Sequence, residues 1–321
     1  DAHVLIKNGE FDWIPESSKF DTIRYYGIYG SGLTASIVHG DTYVEARRSL
    51  FSKEFLEKAG LNLWDYGKPW DKRFTLCGGG FGEMTDVMGN TNVLIDVDGD
   101  FDFDPSIFTD ADNAKDITAK PYLNFMDIFG GGLLGNVEGS SNVTIKGRPF
   151  IRNVYGGSLV GNIGLMDMDL NGNIYTPSNE HRNYLTSTTV NFISGSAHCV
   201  FGGGLMGNIC GETQVNIGSD DPESNKNIFI KTVYGGNDVT GSIAGSNNAL
   251  YGTNINIYGG TINGNVYGSG NGQYGHYDQP TSDFELNSVL NASIGREHPH
   301  VASASISISG IDANNRTTIN G

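Results

Sequence analysis

Oxygen-bearing side chains alternate along one short stretch of the sequence, at Asp167, Asp169, Asn171 and Asn173. A glycine at the sixth position and an apolar residue at the eighth match the first part of an EF-hand calcium loop. This order suits calcium because alternate side chains converge on one hard cation while the glycine permits a sharp turn. Position twelve is Ser178 rather than glutamate, and no flanking helices are predicted. The stretch predicts a calcium loop within an insertion, with an Asx-rich surface turn as the alternative.

A second acidic run contains Asp96, Asp98 and Asp100, followed by Asp102 and Asp104. Like charges along an extended segment repel one another unless they are solvated or share a cation. The run therefore predicts a second calcium site. The alternative is a solvated edge whose charges discourage aggregation between sheets.

Acidic side chains also catalyse the cleavage of polysaccharides, either as paired carboxylates or with a calcium ion. The sequence offers many acids but no recognisable pairing, and its loop histidines, including His181 and His298, lie among polar residues. It contains no Gly-x-Ser-x-Gly motif, no phosphate-binding loop and no His-Glu-x-x-His motif. No catalytic residue is assigned.

Three aromatic residues, Trp64, Tyr66 and Trp70, lie close together in one polar stretch. They are candidates for contact with a ligand, because aromatic rings can stack on sugars. The alternative is that they pack the stretch against the rest of the protein.

The three cysteines, Cys77, Cys199 and Cys210, are odd in number and widely spaced. They predict neither a disulfide framework nor a zinc site. Cys77 and Cys199 lie in or beside apolar repeat positions, so we expect them to be buried as small apolar side chains.

The elements that position these residues are indicated by a repeat of an apolar residue, an aromatic residue and two or three small residues, mostly glycine. It begins at Ile28, Ile128, Val154, Val200, Val233 and Val266, and a seventh copy at Leu76 has cysteine in place of the aromatic residue. A strand-like phrase of alternating apolar and polar residues follows several copies, as at 137–145 and 209–217. The repeat accounts for most of the 46 glycines.

The aromatic positions recur at intervals of 48, 52, 26, 46, 33 and 33 residues. The short intervals fit one coil of a parallel β-helix, and the long ones fit a coil with an inserted loop. We therefore predict an all-β fold, a parallel β-helix (β-solenoid) of about seven or more coils, with glycines at the corners and stacked aromatics. A β-propeller or sandwich is the alternative, but blades need longer and more even intervals.

The prediction treats residues 1–321 as one β-helix domain with a repeat core at about 25–270. Insertions are predicted at 47–74, 96–127, 165–187 and 218–228, an irregular stretch at 273–300 and a further strand within 301–321. The first insertion contains a short helical pattern that Ser52 caps and Gly60 ends. The chain begins without Met and ends in a strand-like sequence, so we expect it to be a fragment of a longer chain.

The composition limits the partners. The formal charge of −16 disfavours nucleic acid and anionic membrane surfaces, and no apolar run is long enough to span a membrane. A charged fraction of 17%, with much Gly, Asn, Ser and Thr, suits short strands and tight turns.

The phrase Val-Tyr-Gly-Gly-x-x-x-x-Gly-x-[Ile/Val]-x-Gly, followed by Thr-x-Val-x-Ile, resembles the glycine-rich repeats of large bacterial cell-surface and secreted proteins. Those repeats are similar to right-handed parallel β-helix adhesins, and the resemblance covers roughly residues 25–270. It implies an extracellular or bacterial cell-surface location and a role as a stalk, adhesin or glycan-contacting surface. It transfers no catalytic residue, because the matching positions are core and corner residues.

Three hypotheses follow for the function. The first is a non-enzymatic structural or adhesive segment that presents loops to a glycan or to a protein on a host or neighbouring cell, with calcium stabilising one or two loops. The second is a carbohydrate-active enzyme, a polysaccharide lyase or glycosidase. The third is a structural subunit that assembles through its coil ends with more of its own chain or with other subunits.

Overall fold

The chain winds as a parallel β-helix, as the sequence predicts, because each circuit adds one strand to each of two large parallel sheets. This computed structural model describes residues 1–6, 25–47, 73–97, 125–164, 167–168, 174–175, 186–243, 252–272, 299–301, 303–310 and 316–321. Within those ranges no helix is long and apolar enough to cross a membrane.

Sheet 1 contains eight parallel strands, and their alternating sequences place apolar residues on the inner side. The strands are β1 (Ala2–Ile6), β3 (Thr42–Ala46), β5 (Thr91–Val97), β7 (Ser141–Gly147), β11 (Ser187–Phe192), β13 (Glu212–Ile217), β16 (Thr253–Ile257) and β20 (Ala304–Ile308). The register repeats one inward triplet, for example Thr91-Val93-Ile95 beside Ser141-Val143-Ile145. This triplet is the Thr-x-Val-x-Ile pattern of the sequence, which fills the core between the sheets.

Sheet 2 is built from the strands that carry the apolar-aromatic pair. Its main path is β2 (Tyr25–Tyr29), β4 (Arg73–Cys77), β6 (Phe125–Phe129), β8 (Phe150–Tyr155), β12 (Gly195–Phe201), β14 (Ile228–Tyr234), β17 (Gly260–Ile262) and β21 (Thr317–Ile319), and β18 (Val266–Tyr267) also pairs with β14.

The third face of each coil is narrower. Single-residue parallel bridges link one apolar residue per coil, in the order Val38, Val87, Val137, Ile163, Ile209 and Ile243. The column continues where β15 (Ser242–Ile243) pairs with β19 (His300–Val301). Most of these side chains form their own buried cluster.

Glycine is required at the corner that follows sheet 2 because successive coils touch there. A Cβ atom on Gly156 would lie 2.3 Å from the carbonyl oxygen of Gly202, and one on Gly202 would lie 2.3 Å from that of Gly235. The hydroxyl groups of Thr188 and Thr213 donate to the same two carbonyls at 2.6 and 2.5 Å. The repeated glycine is therefore a corner device that permits close contact between backbones.

The repeated aromatic residues stack in one ladder along sheet 2, as the sequence predicts. Ring centroids are 4.5 Å apart for Phe129–Tyr155, 4.9 Å for Tyr155–Phe201, 4.8 Å for Phe201–Tyr234 and 5.1 Å for Tyr234–Tyr267, with nearly parallel planes. Cys77 interrupts the ladder and is fully buried, and burial raises the pKa of its thiol.

Several strands extend further than the sequence indicates. Sheet 1 begins at β1, ahead of the first glycine block, while β5 runs through Asp96 to Val97 and β6 begins at Phe125. A helical turn, α1 (Pro222–Asn225), lies in the 218–228 insertion, where Asp221 accepts hydrogen bonds from the backbone N–H groups of Glu223 and Ser224. The helix predicted near 52–60 lies outside the described residues.

The ladder predicts a difference between two aromatic-to-alanine substitutions. Phe201→Ala removes a buried ring held between two others and should cost about 3–5 kcal/mol of unfolding free energy. Tyr267→Ala removes the exposed terminal ring and should cost about 1 kcal/mol. Urea unfolding followed by circular dichroism measures both, and equal losses would contradict a stabilising ladder.

Candidate functional site

Three of the long insertions share one corner of the β-helix. Segments 7–24, 48–72 and 98–124 each connect a strand of sheet 1 to the next strand of sheet 2, in three consecutive coils. Other coils cross the same corner with two residues, at 148–149, 193–194 and 258–259. Since neighbouring strands lie about 4.8 Å apart, the ends of the three segments are adjacent.

A row of ion pairs lies at this corner, on the outer face of sheet 1. The Asp96 carboxylate accepts from the Arg47 guanidinium at 3.2 Å and from the Lys146 ammonium at 3.0 Å, and Arg47 also contacts Glu45. The pairs link β3, β5 and β7 across three coils at the points where segments 48–72 and 98–124 begin. Because the cations are partly exposed, each pair contributes at most about 1 kcal/mol.

This row bears on the acidic cluster predicted to bind calcium. Asp96 already has two cationic partners, which compensate its charge. Asp98 and Asp100 lie outside the described residues. The calcium site at this cluster therefore stays a prediction, with Asp96 weakened as a ligand.

The other predicted calcium stretch begins in a short hairpin. β9 (Asp167–Met168) and β10 (Ile174–Tyr175) pair antiparallel, with Asp167 opposite Tyr175. Asp169, Asn171 and Asn173 lie between these two strands in the sequence, outside the described residues. The described ends of the stretch are therefore strands rather than the helices of an EF-hand.

The candidate ligand-contact residues Trp64, Tyr66 and Trp70 lie in segment 48–72, outside the described residues. Its ends are nevertheless placed, because Ala46 closes β3 and Arg73 opens β4. Among the residues whose positions are described, no group of three or more His, Cys, Asp or Glu side chains could hold a metal ion.

Sheet 2 carries a buried polar row that the sequence analysis missed. Asp127 on β6 accepts from the Arg152 guanidinium through both carboxylate oxygens, with Nε at 3.0 Å, and from the Asn153 amide at 3.2 Å. All three side chains are almost fully buried. Removing either charge would leave the other uncompensated in the interior. The strand register that brings Asp127 and Arg152 together is therefore strongly favoured over other registers. Only the strand register brings Asp127 beside Asn153.

The row continues to His198 and Cys199 on β12, where the Cys199 Sγ lies 3.4 Å from the His198 Nδ1. Burial, followed by the nearby charges of Lys231 and Arg152, holds the pKa of His198 well below its ordinary value. The imidazole is therefore neutral at pH 7. A neutral imidazole beside a thiol is the geometry of an activated nucleophile, but both side chains are buried. We interpret the pair as part of the packing of sheet 2.

All three cysteines are free thiols, and Cys77 and Cys199 are buried as expected. No protein-family model, curated protein or solved structure matches the chain. The resemblance of its repeat to those of surface adhesins therefore stays a proposal.

His198 predicts a dependence of stability on pH. The unfolded chain binds a proton near pH 6.5, whereas the folded protein resists protonation of this imidazole until a lower pH. The unfolding free energy should therefore fall as the pH falls below 6.5, by up to about 1.4 kcal/mol per pH unit. His198→Gln should flatten this decline of the unfolding free energy, measured by urea unfolding between pH 7 and pH 5. Substitution of the exposed His39 is the control and should leave the decline unchanged. An unchanged slope in His198→Gln would show that the histidine does not resist protonation.

Proposed function

We propose that this chain is a rigid β-helix segment of a bacterial surface or secreted protein, and that its insertions bind a glycan or a protein on a neighbouring cell. The observation that carries the proposal is the common corner of segments 7–24, 48–72 and 98–124 in three consecutive coils. Variable connections on a regular scaffold are where binding residues concentrate.

The scaffold supports this role because neighbouring coils are locked in register by polar ladders. Asn136 accepts from the backbone N–H of Asn162 at 2.9 Å, and Asn162 accepts from that of Asn208 at 3.0 Å. On sheet 1, Asn256 donates to Asn216, which donates to Asn191. A register slip would break every one of these bonds, so the coils that they join keep fixed relative positions.

The described acidic residues give less support to a carbohydrate-active enzyme. Asp127 is paired with Arg152, and the buried carboxylate of Asp238 accepts from the Tyr155 hydroxyl at 3.0 Å and from the Asn271 amide at 2.9 Å. Carboxylates committed in this way hold the fold together rather than act on a substrate.

One observation favours coil-end assembly as a second candidate. Ile306 and Ile308 on β20 lie in register with the buried Ile255 and Ile257, yet they are 42% and 49% exposed. A further coil, from a longer chain or from another subunit, would cover them and pair with the strand edge.

The insertion proposal predicts that segment 48–72, or segment 98–124 together with Val97, can be replaced by residues 147–150 without loss of the fold. The strand register supports the exchange, since Asp96 lies beside Lys146 and Phe125 lies beside Ile151 in neighbouring strands. Binding of the full chain to a glycan array should be lost in the shortened variants, while their circular dichroism spectra should stay those of a β-helix.

The matched control replaces 218–227 with residues 258–259, which shortens the same corner in a distant coil and should leave binding intact. Glycan binding retained by both shortened variants would contradict the proposal. Sedimentation velocity distinguishes coil-end assembly from binding by the insertions. Association through the coil ends would persist in the shortened variants and disappear in the double variant Ile306→Ser with Ile308→Ser.

We also propose that calcium binds the Asp167, Asp169, Asn171 and Asn173 stretch in preference to the cluster that includes Asp96. Calcium at a hundredfold excess over its Kd should stabilise the fold by about 2.7 kcal/mol and raise the melting temperature relative to chelator. Asp169→Asn should reduce this shift, whereas Asp96→Asn should not. Identical melting curves in calcium and in chelator would remove the metal from the proposal.

A further inference from the structure

Four large apolar side chains lie on the surface of two neighbouring turns. Leu33 and Ile37 are 69% and 58% exposed, and Met84 and Met88 are 64% and 43% exposed. The turns, 30–41 and 78–90, run from the glycine corner to the next strand of sheet 1. We name these four residues the turn patch. Exposed apolar groups that cluster in this way mark interaction surfaces more often than isolated ones do.

The two turns that carry the turn patch are held side by side by backbone hydrogen bonds. Ser36 N donates to Met84 O at 2.9 Å, and Met88 N donates to Val38 O at 2.8 Å. Ala35 and Met84 form a parallel bridge. The patch therefore spans two coils on a fixed backbone and does not depend on a single loop.

The patch departs from the repeat in a way that the fold does not require. The residue before the third-face apolar position is Asn136, Asn162 or Asn208 in three later coils, where it joins a polar ladder. The corresponding residue in turn 30–41 is Ile37, which is exposed. Both turns are also longer than the corresponding turn of the next coil, which reaches Val137 five residues after Gly132.

The surroundings of the patch are acidic. Asp41, Glu83 and Asp86 lie in the two turns, which contain neither Lys nor Arg. Within the described part of the chain, no ion pair involves any of these three carboxylates. An apolar centre with a negative border is complementary to a segment that combines apolar side chains with positive charge.

We propose that the turn patch binds a cationic amphipathic segment of a partner protein. Leucine and isoleucine provide fixed apolar contacts, while the two methionines adapt to the shape of the segment. The carboxylates of Glu83 and Asp86 select for lysine or arginine beside the apolar side chains. This surface is separate from the insertion corner, so it adds a second recognition site to the proposed function.

The test uses the full chain and a synthetic amphipathic helix of leucine and lysine, with binding followed by fluorescence anisotropy. Ile37→Asn with Met84→Gln should weaken binding at least about tenfold. Glu83→Gln with Asp86→Asn should weaken binding and reduce its dependence on salt. The Asp86→Asn change keeps the polar ladder with Asn136, because asparagine occupies the equivalent position in later coils. The control, Leu5→Gln with Tyr43→Gln, changes exposed apolar residues on sheet 1 and should bind like the wild type.

Three results would overturn the proposal. The first is equal binding by the wild type and the Ile37/Met84 variant, and the second is equally tight binding of a leucine and glutamate helix. The third is that the turn patch binds something else. Flotation would then show patch-dependent binding to phosphatidylcholine vesicles, or sedimentation velocity would show patch-dependent association between copies of the chain. Variants with shortened insertions should bind the lysine helix normally, which separates this proposal from that for the insertion corner.

Discussion

The close contact between successive coils at the glycine corners is the constraint on which the rest of the structure depends. A side chain on Gly156 or Gly202 would enter the space of the carbonyl group above it, so these residues can only be glycine. The close contact keeps each coil one strand spacing from the next, and the same spacing allows the rings of Tyr155 and Phe201 to stack at 4.9 Å. Corner, ladder and parallel sheets are consequences of one packing distance.

That distance also explains why the repeated residues are poorly suited to bind a ligand. Most inward positions of sheet 1 are filled by a hydroxyl or an aliphatic side chain that lies beside its equivalent in the next coil. Substitutions at such positions disturb several contacts at once, so variation is confined to connections and outer faces. The connection from sheet 1 to sheet 2 is two residues long after β7, β11 and β16, which shows that the fold itself needs no more. Longer connections at this corner are therefore not required to complete a coil.

The sequence was sufficient to predict the fold because each coil repeats the same local pattern. Val-Tyr-Gly-Gly predicts a strand end, a ladder position and a corner, and all three occur at Val154–Gly157. β1 was missed because it precedes the first glycine block. The buried row of Asp127, Arg152 and His198 was not predicted, because Asp127 was assigned to the insertion 96–127. The repeat does align the row, since Asp127, Asn153 and Cys199 each lie two residues before a ladder ring. The predicted ligand residues lie mostly in insertions, where the repeat provides no register from which to place them.

Several departures from the repeat lie in the first three coils, and the long connections before β11 and β19 are further departures in later coils. Three long insertions leave one corner of the first three coils. The row of Arg47, Asp96 and Lys146 links the starting points of segments 48–72 and 98–124, and the turn patch occupies two of the same coils. In the following coils, by contrast, β7 connects to β8 and β11 to β12 through two-residue corners. Asn side chains there fill the ladder position that Ile37 occupies in the first coil. The regular coils maintain spacing and rigidity. The first two coils also join the polar ladders, through Asp86 and Asn90, and they add exposed apolar side chains that the ladders do not use.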